Sequence, residues 1–293
     1  MTCKSTLFFV LAILSAAVLH AQDPDPSINL IHAYTFEDST VTDQVGFADG
    51  TIIGDVTFDT TAAGDVGAVL ANGGVIELEA ATIGINTYEA ITVEAWFTPE
   101  GNQNSNFSML VYLGGSQAAP NQEGGARLGS NGFFLQPTVN TDGGSRVAIS
   151  TGNTAMPWTV ETGISSDTRL DSAGTYHLLG SLDSTHIYMY LNGQLVDSTE
   201  LTNGNGITAL SNAFAWIGRG GYEGDASWTG TVHEVNIYNK ALVPEEVAYL
   251  FDQGPTVSTT SVGELAGGIR PDIFSTPGRI LFRQLPTNGR VSL

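Results

Sequence analysis

Thr175–Gly193 reads TYHLLGSLDSTHIYMYLNG. Ile187, Met189 and Leu191 alternate with Tyr188 and Tyr190, and Asn192-Gly193 follows directly. Strict period-two alternation predicts a strand that buries one face. Asn-Gly predicts a two-residue type I′ turn, because both central positions need φ > 0. Gln194–Thr199 then supplies the returning strand. Outward from this hairpin, short apolar runs are parted by clusters of Gly, Asn, Asp, Ser and Thr, with 35 glycines in the chain. That pattern predicts an all-β, two-sheet antiparallel sandwich. Further strands are expected at Leu30–Phe36, Val75–Leu78, Ile91–Thr98, Ser108–Leu113, Gly132–Gln136, Arg146–Ser150, Tyr176–Leu182, Phe214–Gly218 and Trp228–Tyr238. No repeat of 20–50 residues is seen.

One short helix is expected at Pro244–Phe251. Proline suits the first helical position, and Glu245 and Glu246 sit at the positive end of the helix dipole. Val247, Leu250 and Phe251 form an apolar stripe. Val243 stands at the N-cap without a side-chain acceptor, and Gly254-Pro255 closes the helix. After it, Thr256–Ser261 reads as a linker, and Arg270, Arg279, Arg283 and Arg290 give the tail a different composition.

Met1–Ala21 reads as a secretory signal peptide. Lys4 is its positive charge, Leu7–Leu19 its apolar run, and Leu19-His20-Ala21 its cleavage site. The only cysteine, Cys3, lies inside that segment, so disulfides are not expected in the exported chain. Ten Lys+Arg against thirty Asp+Glu leave a net charge of −20. Such a surface repels phosphate backbones, which argues against nucleic acid, and it suits a solvated extracellular protein.

Four segments in order resemble the laminin-G-like jelly-roll domains of the concanavalin A-like lectin/glucanase superfamily, over residues 28–254. They are His32–Asp38 with the loop Thr42–Thr51, the strand Ile91–Pro99, the hairpin above, and Trp216–Arg219 through Trp228–Leu242 with the Pro244 helix. The resemblance implies a jelly-roll sandwich and a carbohydrate or an extracellular protein as partner. Thr175 departs from it, standing where the family usually has Trp. More loosely, Arg270–Ile280 and Gln284–Leu293 are similar to part of a type IX secretion C-terminal sorting domain, which implies presentation at a bacterial surface. Half such a domain buries no core, so Leu281–Leu293 is expected to be poorly ordered.

Calcium takes six to eight oxygen ligands. Glu37, Asp38, Asp43 and Asp49 crowd one loop, with Gly46 to turn its carbonyls. The resemblance adds residue 233 or 234 of the late strand. His233 is a poor calcium ligand, which leaves Glu234. Glu77 and Glu79 have the alternate spacing of a glycosidase pair, but outside the strand where the resemblance places one, and read as exposed-edge carboxylates. His32, His177, His186 and His233 each sit in or beside a predicted strand, with no Gly-x-Ser-x-Gly elbow. Sugar binding would use loop aromatics, which stack on pyranose faces. Trp158, Tyr222 and Trp228 are the candidates, with Asn121, Gln122 and Asp225 as polar partners, while Trp96 and Trp216 read as core. The sequence therefore suggests a secreted binding module for carbohydrate or an extracellular protein. A glycoside hydrolase or polysaccharide lyase of the same superfamily, or a structural adhesion module, are the alternatives.

Overall fold

The computed structural model describes residues 24–60, 66–100, 107–116, 131–139, 143–152, 156–167, 169–170 and 174–255, with the backbone of 272–276 and 279–283. Met1–Ala21, Asn121, Gln122, Thr256–Ser261 and Gln284–Leu293 lie outside the described residues. The strands are β1 (Leu30–Tyr34), β2 (Gly50–Ile53), β3 (Val56–Thr60), β4 (Val66–Leu70), β5 (Val75–Leu78), β6 (Ile91–Pro99), β7 (Val111–Gly114) and β8 (Gly132–Gln136). They continue with β9 (Arg146–Ser150), β10 (Thr162–Ser165), β11 (Tyr176–Leu182), β12 (His186–Leu191), β13 (Gln194–Glu200), β14 (Phe214–Ile217) and β15 (Gly230–Tyr238). One sheet runs β13-β12-β11-β6-β15-β4-β3, and β1 pairs with the far half of β15. The other runs β10-β9-β8-β7-β14-β5-β2.

The two inner faces make the core. Val93, Ala95, Phe97, Met189, Val235 and Ile237 meet Leu113, Phe133, Leu135, Val147, Ile149 and Ile217. Gly180 lets the sheets approach, since a Cβ there would stand 2.5 Å from Val147 and 2.9 Å from Phe133. Asn192 (φ 49°) and Gly193 (φ 75°) form the expected turn. The Asn192 carboxamide accepts the His177 N–H at 3.0 Å, pinning the hairpin to β11.

Helix α1 is one turn, Ala80–Ile83, and α2 covers Pro244–Gln253. Glu246 supplies the cap that Val243 lacks, because its carboxylate accepts the Val243 N–H at 3.0 Å. Helix α2 lies on the outer face of the first sheet, where Val247 packs on Leu30, Ala33, Leu179, Tyr190 and Tyr238. The Tyr190 side of the hairpin is thus buried as well. Strands β2, β3, β4 and β10 escaped the sequence reading. The first two are largely exposed and β4 is built of small residues, so none shows a strong alternation. In the tail, β16 (Asp272–Thr276) and β17 (Arg279–Arg283) pair as an antiparallel hairpin, so Leu281–Arg283 is strand rather than the expected disorder.

Candidate functional site

Side chains alternate across β8, β9 and β14, so residues next to core positions point out of the second sheet. Tyr112, Phe134, Ala148, Trp216 and Tyr222 form a separate apolar layer there. The rings run in series: Phe214 stacks on Trp216 at 4.3 Å, Trp216 on Tyr112 at 6.0 Å, and Tyr112 on Phe134 at 6.5 Å. Tyr222 then meets Phe134 edge-on at 5.8 Å, and Trp158 meets Tyr222 at 6.2 Å. Trp216 is buried, as expected of a core residue, and its place is in this layer on the outer face of the second sheet, with Arg219 over its ring at 4.7 Å.

At one end of this layer opens a cleft of about 480 Å³. Phe134 and Gln136 of β8 line it with Arg146 of β9, and Trp158, Glu161, Tyr222 and Asp225 close its walls. Trp158 is half exposed, at 51%. Glu161 is fully engaged: one oxygen accepts from Tyr222 Oη at 2.6 Å, and the other from Arg146 at 2.8 and 3.2 Å. Asp225 differs, because its Oδ2 is buried without a hydrogen-bond partner among the described residues. Burial, then the Glu161 charge, pushes its carboxyl up to about 7. Gln136 is only 2% exposed, and its Nε2 also lacks a partner. Buried polar groups are normally paired, so two unpaired groups lining one cleft point to a ligand.

The structure therefore brings Trp158, Tyr222 and Asp225 together, and adds Gln136, Glu161 and Arg146, which no local pattern had marked. Trp228 must be removed from the candidates. It is fully buried and stands edge-on to Phe97 at 5.9 Å, so no sugar reaches its face. Glu77 is not an edge carboxylate, since β5 lies between β14 and β2. It accepts the Trp216 indole N–H at 2.7 Å, and shares a shallow pocket with Asp49, Thr51, Glu79 and Asn212.

Asp43, at the centre of the expected calcium set, is committed to other partners. Asp43 Oδ1 accepts from the N–H groups of Ala33, Val45 and Gly46 at 3.0–3.2 Å. Its Oδ2 accepts from His32 Nδ1 at 2.6 Å and from the Ala48 N–H at 3.1 Å. Burial alone would raise this carboxyl, but the His32 and backbone donors outweigh it and hold Asp43 well below the usual range. Asp49 accepts the Asp43 N–H at 2.9 Å, and Asp38 holds Thr40. Glu234 instead is buried and accepts from Asn236 Nδ2 two residues along β15. Among the described residues no three His, Cys, Asp or Glu side chains are grouped to hold a metal. Asp43 and Asp49 are thus committed to N–H donors, and a Cβ on Gly46 would meet His32 and Asp43.

Under α2, Glu94 is buried with His177 Nε2 at 2.9 Å, Tyr238 Oη at 2.7 Å and Asn236 Nδ2 at 3.1 Å. Burial alone would raise Glu94, yet these partners, His177 foremost, keep it below the usual range. Beside this patch, Trp96 stacks on His177 at 4.6 Å and on Phe251 at 5.6 Å. Trp96 is thus buried under the helix, outside the central core.

A family model described as the concanavalin A-like lectin/glucanases superfamily matches residues 70–248, more than half of the chain. The chain belongs to this superfamily. Solved structures share the superfamily's fold. Domain 4 of AbnA, a GH43 extracellular arabinanase from Geobacillus stearothermophilus, solved with arabinotriose, is 20% identical at a TM-score of 0.52, covering 75% of this chain and 97% of that one. The Ruminococcus gnavus IT-sialidase CBM40 bound to α2,3 sialyllactose is 11% identical at 0.51, covering 63% and 96%. The receptor-binding domain of botulinum neurotoxin mosaic serotype C/D is 14% identical at 0.57, covering 78% of this chain and about half (52%) of the toxin chain. No curated protein matches the sequence.

Proposed function

We propose that this protein is an exported, non-catalytic carbohydrate-binding module, with the Trp158–Tyr222–Asp225 cleft as its site. The observation that carries the reading is an exposed ring beside two unpaired buried polar groups, a combination suited to a pyranose with an apolar face and directional hydroxyls. The sugar-bound neighbours of the same fold support it. Export follows from the Met1–Ala21 pattern, and the acidic chain suits a surface setting.

A glycan array probed with the full chain and with Trp158→Ala tests the reading. One glycan class should bind, and the substitution should weaken it about tenfold, the ~1.4 kcal/mol of one stacked ring. Absence of any glycan hit, or a hit indifferent to Trp158, removes the cleft from this role. Turnover of a β-glucan that Glu77→Gln abolishes would replace binding with hydrolysis.

A further inference from the structure

We propose that the sugar this cleft takes carries a protonated amine, as in a glucosamine oligomer. The inference rests on the cleft being a glycan site. Among the described residues, the carboxylates of Glu161 and Asp225 line it with the guanidinium of Arg146. Arg146 is committed to Glu161 and to Ser165 Oγ at 2.9 Å, so it leaves Asp225 unneutralised. The buried Oδ2 of Asp225 has no donor among the described residues. A buried carboxylate is costly, so Asp225 favours its protonated form in the free protein and gains its charge when a cation reaches it.

The remaining walls favour the same chemistry. Trp158, half exposed at the cleft, offers a ring that attracts a cation through its quadrupole when water is displaced. A bare metal ion would gain little from that ring, whereas an alkylammonium on a pyranose uses ring and carboxylate together. Gln136 Nε2 adds one unpaired donor for a hydroxyl or ring oxygen of the same sugar. An anionic sugar such as sialyllactose would meet the Asp225 carboxylate and be disfavoured.

Calorimetry at neutral pH on the full chain should compare a glucosamine oligomer, its N-acetylated form of equal length, and a neutral glucan. The glucosamine oligomer should bind about tenfold tighter than its acetylated form. Asp225→Asn should bring the two near parity while leaving the residual affinity that Trp158→Ala then removes. Circular dichroism of each variant separates lost binding from lost fold. Equal affinity of the amine and acetylated forms in the wild-type chain, or a preference that survives Asp225→Asn, overturns the amine assignment and leaves the glycan site standing. Failure of every glycan overturns both.

Discussion

The outer faces of the two sheets start from the same alternation and end differently. On the first sheet, α2 lies across the strands, and Glu94 gathers the polar side chains beneath it, His177, Tyr238 and Asn236, while His177 Nδ1 and Asn236 Oδ1 have no hydrogen-bond partner among the described residues. Thr92 likewise holds Ser181 at 2.7 Å and the Lys240 carbonyl at 2.6 Å. On the second sheet, ring follows ring, and at the Trp158 end Gln136 Nε2 and Asp225 Oδ2 line the cleft without a partner among the described residues. A polar layer covered by a helix adds stability and specifies how that helix docks, whereas an aromatic layer that opens into a cleft with polar groups on its walls is poised for a ligand.

This contrast predicts large stability effects on the closed side and small ones on the open side. Glu94→Ala leaves His177, Tyr238 and Asn236 without their buried acceptor, and should lower unfolding free energy by about 3–5 kcal/mol in denaturant titration. Glycan affinity of the folded fraction should be unchanged. Asp43→Ala strands five donors and should cost about 3 kcal/mol. The Asp43 carboxyl is depressed on folding, so its contribution is present above the ordinary value of 3.8 and fades as pH falls below it. A melting-temperature profile into acid should show that limb in the wild type and lack it in Asp43→Asn.

On the open side the sign reverses. Asp225 titrates at about 7 when folded, against 3.8 ordinarily, so the folded state holds a proton that the unfolded chain has released. Stability should therefore decline from about pH 4 to 7 and then level off. Asp225→Asn removes the decline: its midpoint should match wild type in acid and lie a few degrees higher above pH 7, at about 2–4 °C per kcal/mol. Smallest of all, Trp158→Ala should change stability by no more than about 0.5 kcal/mol, since the ring is half exposed. A larger loss would make Trp158 a packing residue and erase the contrast between the two faces.

The hairpin, the Ile91–Pro99 strand and the Pro244 helix were legible because their signals are local: alternation, an Asn-Gly turn, a proline at the helix start. Trp228 and Trp158 show where such signals end. Both looked like loop tryptophans, yet one closes the core against Phe97 and the other stands half in solvent. Asp43 looked like a metal ligand because it is acidic and beside glycine, but its lone pairs are committed to N–H groups that the fold of its own loop and β1 brings to it. Glu77 and Glu79 had the right spacing, while the place of β5 inside the sheet set Glu77's partner.

By itself the sequence determined the class of fold, most strand positions, the hairpin turn and the helix, because backbone propensity and side-chain period act over a few residues. Only the tertiary structure decided which sheet face a helix covers and which stays open. It alone gathered Gln136, Arg146, Trp158, Glu161, Tyr222 and Asp225 into one cleft. Those residues span some ninety positions, and what unites them is strand order and register, set by packing two whole sheets against each other.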